Sequence, residues 1–166
     1  MQTFLPYPDF RRSARVLDVR RLGKQRVEAV QVLRGLTVPG YGWRHHPAVR
    51  MWTGYEEALV RYGLDVCEVW ADEGRADTCA ATLLVDLAAS RGRTRVRVRS
   101  EEALAEAGEL PPWLGEEAFH LSHRSALVRK DPEHYRPLFP GVPEGLPYVW
   151  PRSDRDAESG RTPQGG

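Results

Sequence analysis

The stretch "LDVRRLGKQRVEAVQVL", residues 17–33, decides the fold class. Laid on a helical wheel at about 100° per residue, Val19, Leu22, Ala29, Val30 and Leu33 fall on one broad arc, with Leu36 just beyond. Arg20, Arg21, Lys24, Gln25, Glu28 and Gln31 fall on the opposite arc. Apolar residues at three- and four-residue spacing make an amphipathic helix. Asp18 is placed to cap its start, and Pro39-Gly40 ends it after Leu36. Arg26 is the misfit, a cation inside the apolar arc that has either to snorkel or to meet an acid.

Working outward, the same helical period recurs. Asp9 caps a short helix before this one. The loop "GYGWRHH", residues 40–46, leads to Pro47, well suited to a first helical position. Ala48, Met51, Trp52, Tyr55, Leu59 and Tyr62 then recur at helical spacing, and Val66, Cys67 and Trp70 continue the stripe. The pattern predicts one long helix that Gly63 bends and Gly74 ends, with its aromatics in the core rather than on a base-stacking platform. Asp77 caps a further helix through Leu87, a short helix follows Ser100, and "PPWLG" introduces a last one from about Glu116 to Lys130. The expectation is therefore all-α: a compact single-domain bundle of several helices over residues 1–150, one domain's worth of chain. Residues 151–166, polar and containing Gly and Pro, are expected to form a disordered tail.

Composition narrows the functional class. No run of eighteen apolar residues exists and the N-terminus lacks the basic start and apolar stretch of a secretion signal, so a soluble, cytoplasmic protein without membrane contact is expected. Cys67 and Cys79, with no CxxC, read as buried thiols rather than a disulfide or a metal pair. There is no isoleucine and no asparagine, and arginine outnumbers lysine 22 to 2. That is the signature of GC-rich coding, so a single arginine says little; the two lysines, Lys24 and Lys130, are less cheaply explained. The net charge of +1 hides strong segregation. Residues 11–34 carry eight basic and two acidic side chains, residues 56–77 seven acidic and two basic, and residues 91–99 five arginines without an acid. Such polarity makes a basic face able to attract phosphates. The arginine run, "RGRTRVRVR", alternates in a way that fits a strand or a flexible arm.

Within the basic stretch stands one carboxylate, Glu28. With Lys24 it forms an i,i+4 pair worth a few tenths of a kcal/mol, an ordinary solvated salt bridge; alternatively the basic arc exists to bring a polyanion to it. Two further stretches bear on that choice. In "FHLSHRSALVRKDPEHY", residues 119–135, His120, His123, Arg124, Arg129, Lys130, His134 and Tyr135 are interspersed with Ser122 and Ser125, donors suited to phosphate oxygens. In "YGWRHHP", Trp43, Arg44, His45 and His46 stand on a loop before a helix start, where an aromatic ring can stack on a base and backbone N–H groups can meet an anion. A third reading is a metal-dependent hydrolase using His45 or His46 with Glu117 and His120, whose i,i+3 spacing puts them on one helix face.

The order of these pieces resembles the pyrimidine-dimer DNA glycosylase family, the phage-type endonuclease V proteins. The likeness rests on "LDVRRLGKQRVEAVQVL", on "HPAVRMWTGYEEALVRYGLDVCEVWADEGRADT" and on "SHRSALVRKDPEHY", together spanning roughly residues 1–150. The resemblance implies a small, all-helical protein that needs no cofactor or metal and acts on double-stranded DNA as a monomer. It implies base excision by a primary amine that attacks C1′ of the damaged nucleotide, followed by strand breakage with a carboxylate assisting proton removal at C2′. A chain-terminal amine suits the first step, because α-amino groups titrate near 7.7–8.0 and lysines only near 10.4. Carried over, the amine is that of Met1 and the carboxylate is Glu28. Contacts to DNA fall to Arg20, Arg21, Lys24, Trp43, Arg44, His45, His46, His123, Arg124, Arg129, Lys130 and Tyr135. The sequence also departs from the family pattern: Met1 precedes Gln2, bulky enough to block Met removal, where the phage proteins expose Thr. Val27 and Gln31 stand where the family has basic residues, and Arg21 where it has His. A non-catalytic nucleic-acid-binding protein of the same fold is the alternative.

Overall fold

Asp18 opens the central helix as expected, its carboxylate accepting from the Arg21 N–H 3.1 Å away. The computed structural model describes residues 1–157, and every regular element among them is helical. In chain order these are α1 (Phe10–Val16), α2 (Val19–Thr37), α3 (Pro47–Arg50), α4 (Glu56–Asp72), α5 (Cys79–Ser90), α6 (Glu101–Glu106), α7 (Glu117–Lys130) and α8 (Pro132–Tyr135). The protein is an all-α bundle. Helix α2 packs against α4 and α5, and α1 lies across α4. Leu22, Ala29, Val30 and Leu33 are buried as the wheel requires, whereas Val19, at the helix start, is exposed.

The expected long helix from Pro47 is two helices. After α3 the chain turns through Met51–Gly54 on short-range bonds, Trp52 N–H to Val49 O and Tyr55 N–H to Trp52 O, which keep nearly helical spacing. That is why the aromatic stripe survives the break: Met51, Trp52, Tyr55, Leu59 and Tyr62 are all buried. Gly54 makes the corner, with φ +80°, a conformation open to glycine at little cost. Gly63 lies inside the unbroken α4 and lets it approach its neighbours, since a Cβ there would lie 2.6 Å from Leu83 Cδ1 and 3.0 Å from Ala29 Cβ.

Packing also extends beyond residue 150. Ser153 is buried and donates to Thr53 O, the Tyr55 hydroxyl donates to Asp154 (2.7 Å), and Arg50 pairs with Asp156 (2.9 Å), so residues 151–157 form a strap over the α3–α4 corner. The rest of the expected tail, residues 158–166, lies outside the described residues. The arginine run is neither strand nor helix. Val96 and Val98 pack on the core with the arginines outward, and Arg91 and Arg99 both pair with Glu57 (3.6 and 2.9 Å). Both cysteines are free, Cys67 buried and Cys79 half-buried. No helix among the described residues is long and apolar enough to cross a membrane.

Candidate functional site

Residues 1–5 form no helix; they are threaded between α2 and α7, and their backbone groups must find partners there. The Phe4 N–H donates to Gln25 Oε1 (2.8 Å) and the Leu5 N–H to His123 Nδ1 (2.9 Å), while His120 Nδ1 meets Leu5 O at 2.8 Å. Arg124 donates to Pro6 O (2.8 Å), and the Trp52 indole N–H to the Thr3 hydroxyl (3.1 Å). Gln2, Thr3, Phe4 and Leu5 are consequently buried. This segment covers part of the arc of α2 that the wheel assigns to solvent. Gln25 is 1 % exposed and Glu28 6 %, so Glu28 belongs to no ordinary surface salt bridge.

Gln25 is the joint of the arrangement. Its Oε1 accepts from Phe4 N and from the Tyr62 hydroxyl (2.7 Å), and its Nε2 donates to Gln2 O (3.0 Å) and to Glu28 Oε2 (2.7 Å). Every hydrogen-bonding position of the amide is used, tying the N-terminal segment and the Glu28 carboxylate into one frame. The Gln2 N–H approaches Glu28 Oε2 at 3.4 Å, and Lys24 Nζ stands 3.5 Å from Oε1. The i,i+4 pair is thus present, with Lys24 exposed and Glu28 enclosed.

In front of Glu28 opens a cavity of about 320 Å³, within the usual range of ligand pockets. Met1, Gln2, Phe4 and Tyr148 form part of its wall, and Arg20, Arg21, Lys24 and Lys130 bring four cationic side chains to it. The structure therefore gathers six of the residues expected to act, Met1, Glu28, Arg20, Arg21, Lys24 and Lys130, around one space. Burial lowers the pKa of Lys130 from the ordinary lysine value, and the charges of Arg21, Arg129 and Lys24 lower it further against the pull of Glu28. Arg129 is exposed beside it.

The "GWRHH" loop lies on the same side. Burial lowers the pKa of His46, the nearby N-terminal amine lowers it further, and Glu28 opposes both. His46 Nδ1 accepts the Ala48 N–H as the cap of α3 (3.1 Å). A chain of ring contacts runs from exposed Trp43 to His46 (5.8 Å), Trp150 (5.9 Å) and Tyr148 (5.3 Å), reaching the cavity wall. Arg44 and His45 are exposed on the loop and hydrogen-bonded to one another.

Other expected DNA contacts are structural. His123 is fully buried, and burial pushes its pKa down to about 3, so the ring stays neutral and accepts from Leu5. Tyr135 is also fully buried, its hydroxyl donating to the Asp18 carboxylate and accepting from Asp18 N (3.0 Å). Burial of Asp18 alone would raise its pKa, but the bonds from Tyr135 and Arg21 outweigh it and lower it. Arg124 is held between Pro6 O and Glu117. Ser122 and Ser125 donate to Phe119 O and Pro143 O, and accept from Val149 N and Leu146 N, stapling the later chain to α7. None of these offers a free surface to a phosphate.

The metal-hydrolase reading fails on its donors. His120 accepts from Gly115 N at Nε2 (2.9 Å) and therefore donates to Leu5 O from Nδ1, so neither nitrogen has a lone pair to give. Glu117 is exposed on Arg124. Among the described residues no three His, Cys, Asp or Glu side chains cluster as ligands.

Sequence reasoning missed Gln25 and Tyr148 as parts of the site. Gln25 carries a signal, lying three residues before Glu28 and so on the same helix face; Tyr148 carries none, because only the packing of residues 146–150 brings it there. Compared with known proteins, the chain matches the family model described as pyrimidine dimer DNA glycosylase over residues 1–83. No curated protein and no solved structure matches it.

Proposed function

The chain belongs to the pyrimidine dimer DNA glycosylase family, whose model matches half of its length, and from that membership we propose that it excises damaged pyrimidines with a covalent amine mechanism and then cleaves the strand as an AP lyase. DNA is the substrate of the family. The observation that supports the finer reading is that Met1 and Glu28 both line one cavity edged by four cations.

The steps follow from what the groups at that cavity can do. Arg20, Arg21, Lys24 and Lys130 attract the phosphates flanking the damaged nucleotide. The α-amine of Met1 attacks C1′; the glycosidic bond from C1′ to the base nitrogen breaks and the base leaves, and opening of the sugar ring gives an imine between Met1 and C1′. Glu28 takes the proton from C2′, and the electron pair expels the 3′ phosphate by breaking the C3′–O bond. Gln25 and the Gln2 N–H hold Oε2 of Glu28, which leaves Oε1, beside Lys24, to receive that proton. Water then hydrolyses the imine and frees the amine.

Borohydride trapping on a duplex containing one cyclobutane pyrimidine dimer tests this. The expected result is strand cleavage and a reduced adduct on Met1, located by peptide mass mapping. DNA binding without cleavage or adduct, on dimer and abasic duplexes alike, would instead identify a non-catalytic DNA-binding protein of this fold.

A further inference from the structure

The placement of the two lysines carries an inference of its own. Four of the 24 lysine and arginine side chains line the cavity; two of these are lysine, and the other twenty cations are all arginine. In a chain that writes its cations as arginine, lysine stands only where Met1 and Glu28 also stand. Phosphate binding does not account for this, since the arginine fork grips phosphate better. What lysine can do and arginine cannot is lose a proton and act as a nucleophile.

The two lysines are not equivalent. Lys24 is engaged in an ion pair, 3.5 Å from the Glu28 carboxylate. The Lys130 side chain forms no ion pair or hydrogen bond with the described residues, and it stands at the end of α7 facing the same space. The charges of Arg21 and Lys24 on α2 and of Arg129 on α7 oppose its charged form, and that of Glu28 supports it. Desolvation and these cations lower its pKa from the ordinary lysine value, against the pull of Glu28.

We infer that Lys130 is a second nucleophilic amine of this cavity, one that captures the aldehyde of a ring-opened abasic deoxyribose. The inference rests on the DNA-repair reading of the site. The Nζ lone pair adds to C1′ as the carbonyl π bond breaks, the carbinolamine loses water, and a protonated imine forms. Glu28 then removes the C2′ proton and the 3′ phosphate departs, as in the route through Met1. The protein thereby retains abasic-site processing when the Met1 amine is occupied or modified.

Trapping on an abasic-site duplex decides it, with protein whose Met1 α-amine is blocked by Nα-acetylation compared with unblocked protein. The blocked protein is expected to lose most but not all of its borohydride-trapped adduct, the remainder mapping to Lys130 and increasing from pH 7 to 9. Lys130→Arg, which conserves the charge but cannot act as an amine nucleophile, is expected to abolish that remainder. Because an acetyl group also adds bulk to the cavity, the unblocked protein is mapped at pH 9, where a minor Lys130 adduct is expected. An adduct on Lys24 in the blocked protein, or a Met1 adduct with none on Lys130 in either preparation, overturns the inference and leaves the proposed function standing. No adduct in any preparation overturns both.

Discussion

At the scale of the residue, Glu28 separates two readings that differ in outcome. If its role is the ion pair with Lys24, Glu28→Gln removes a pair of which Lys24 is 71 % exposed, worth at most a few tenths of a kcal/mol, and leaves cleavage intact. If it is the carboxylate that accepts the C2′ proton, glutamine keeps the shape and the bonds to Gln25 and Gln2 but removes the base. Single-turnover cleavage should then fall at least about a hundredfold, the scale of lost acid–base catalysis. DNA affinity, measured by fluorescence anisotropy, should stay equal or rise, since a negative charge facing phosphates is gone. Wild-type cleavage by Glu28→Gln would remove Glu28 from the mechanism. The i,i+4 pair was legible in the sequence, because one helix contains both partners. The burial of Glu28 was not: a wheel knows only its own helix, and the cover comes from residues 1–5 and α7. Arg26 shows the same limit, its acid being Asp77 (2.5 Å), 51 positions away, with Trp70 stacked on the guanidinium at 4.1 Å.

At the scale of the element, caps and breaks were mostly readable and long-range pinning was not. Asp9, Asp18, Ser100 and Pro47 begin helices because short polar side chains or a fixed φ suit the first turn. The α3–α4 corner was missed because tight turns keep the aromatic spacing nearly helical and Gly54 looks like any other glycine. The run at residues 91–99 combines both lessons: its alternation is real, with Val96 and Val98 inward, but its ends are fixed by Glu57 and by Arg61, which donates to Val98 O and Arg99 O. Arg93, Arg95 and Arg97 are exposed and pair with no acid among the described residues. A fixed, unneutralised row of this kind is suited to the phosphate backbone. Arg93→Ala with Arg95→Ala should flatten the slope of log affinity against log salt by about one unit per lost contact, while Tm barely changes. An unchanged slope would mean that the row faces away from bound DNA.

At the scale of the whole molecule, stability against pH sets buried groups of opposite sign against each other. Glu101, the first residue of α6, accepts the Phe10 N–H (2.9 Å) and so joins α6 to α1. Burial pushes its pKa up to about 7; the bond from Phe10 works against this, and the charges of Asp9 and Asp65 add to it. With a folded value above the unfolded one, its contribution is fully present below about pH 4.3 and is lost as pH rises through 7. His123 acts oppositely: buried neutral with a pKa near 3, it contributes above its unfolded value of about 6.5, and that stability is lost as pH falls. Glu57, held down to about 2 chiefly by its bonds from Arg99, is lost only at still lower pH. Between about pH 4.5 and 6.5 the Glu101 and His123 terms offset each other, so the wild-type curve alone hides both. The difference between Glu101→Gln and wild type isolates one of them, because glutamine keeps the acceptor for Phe10 and never ionises. By calorimetry that variant should match wild type, or fall slightly below it, at pH 5, and melt progressively higher than wild type as pH rises to 8. A Tm difference that does not change with pH would show that Glu101 ionises freely in the folded protein and that the α1–α6 junction carries no proton-linked strain.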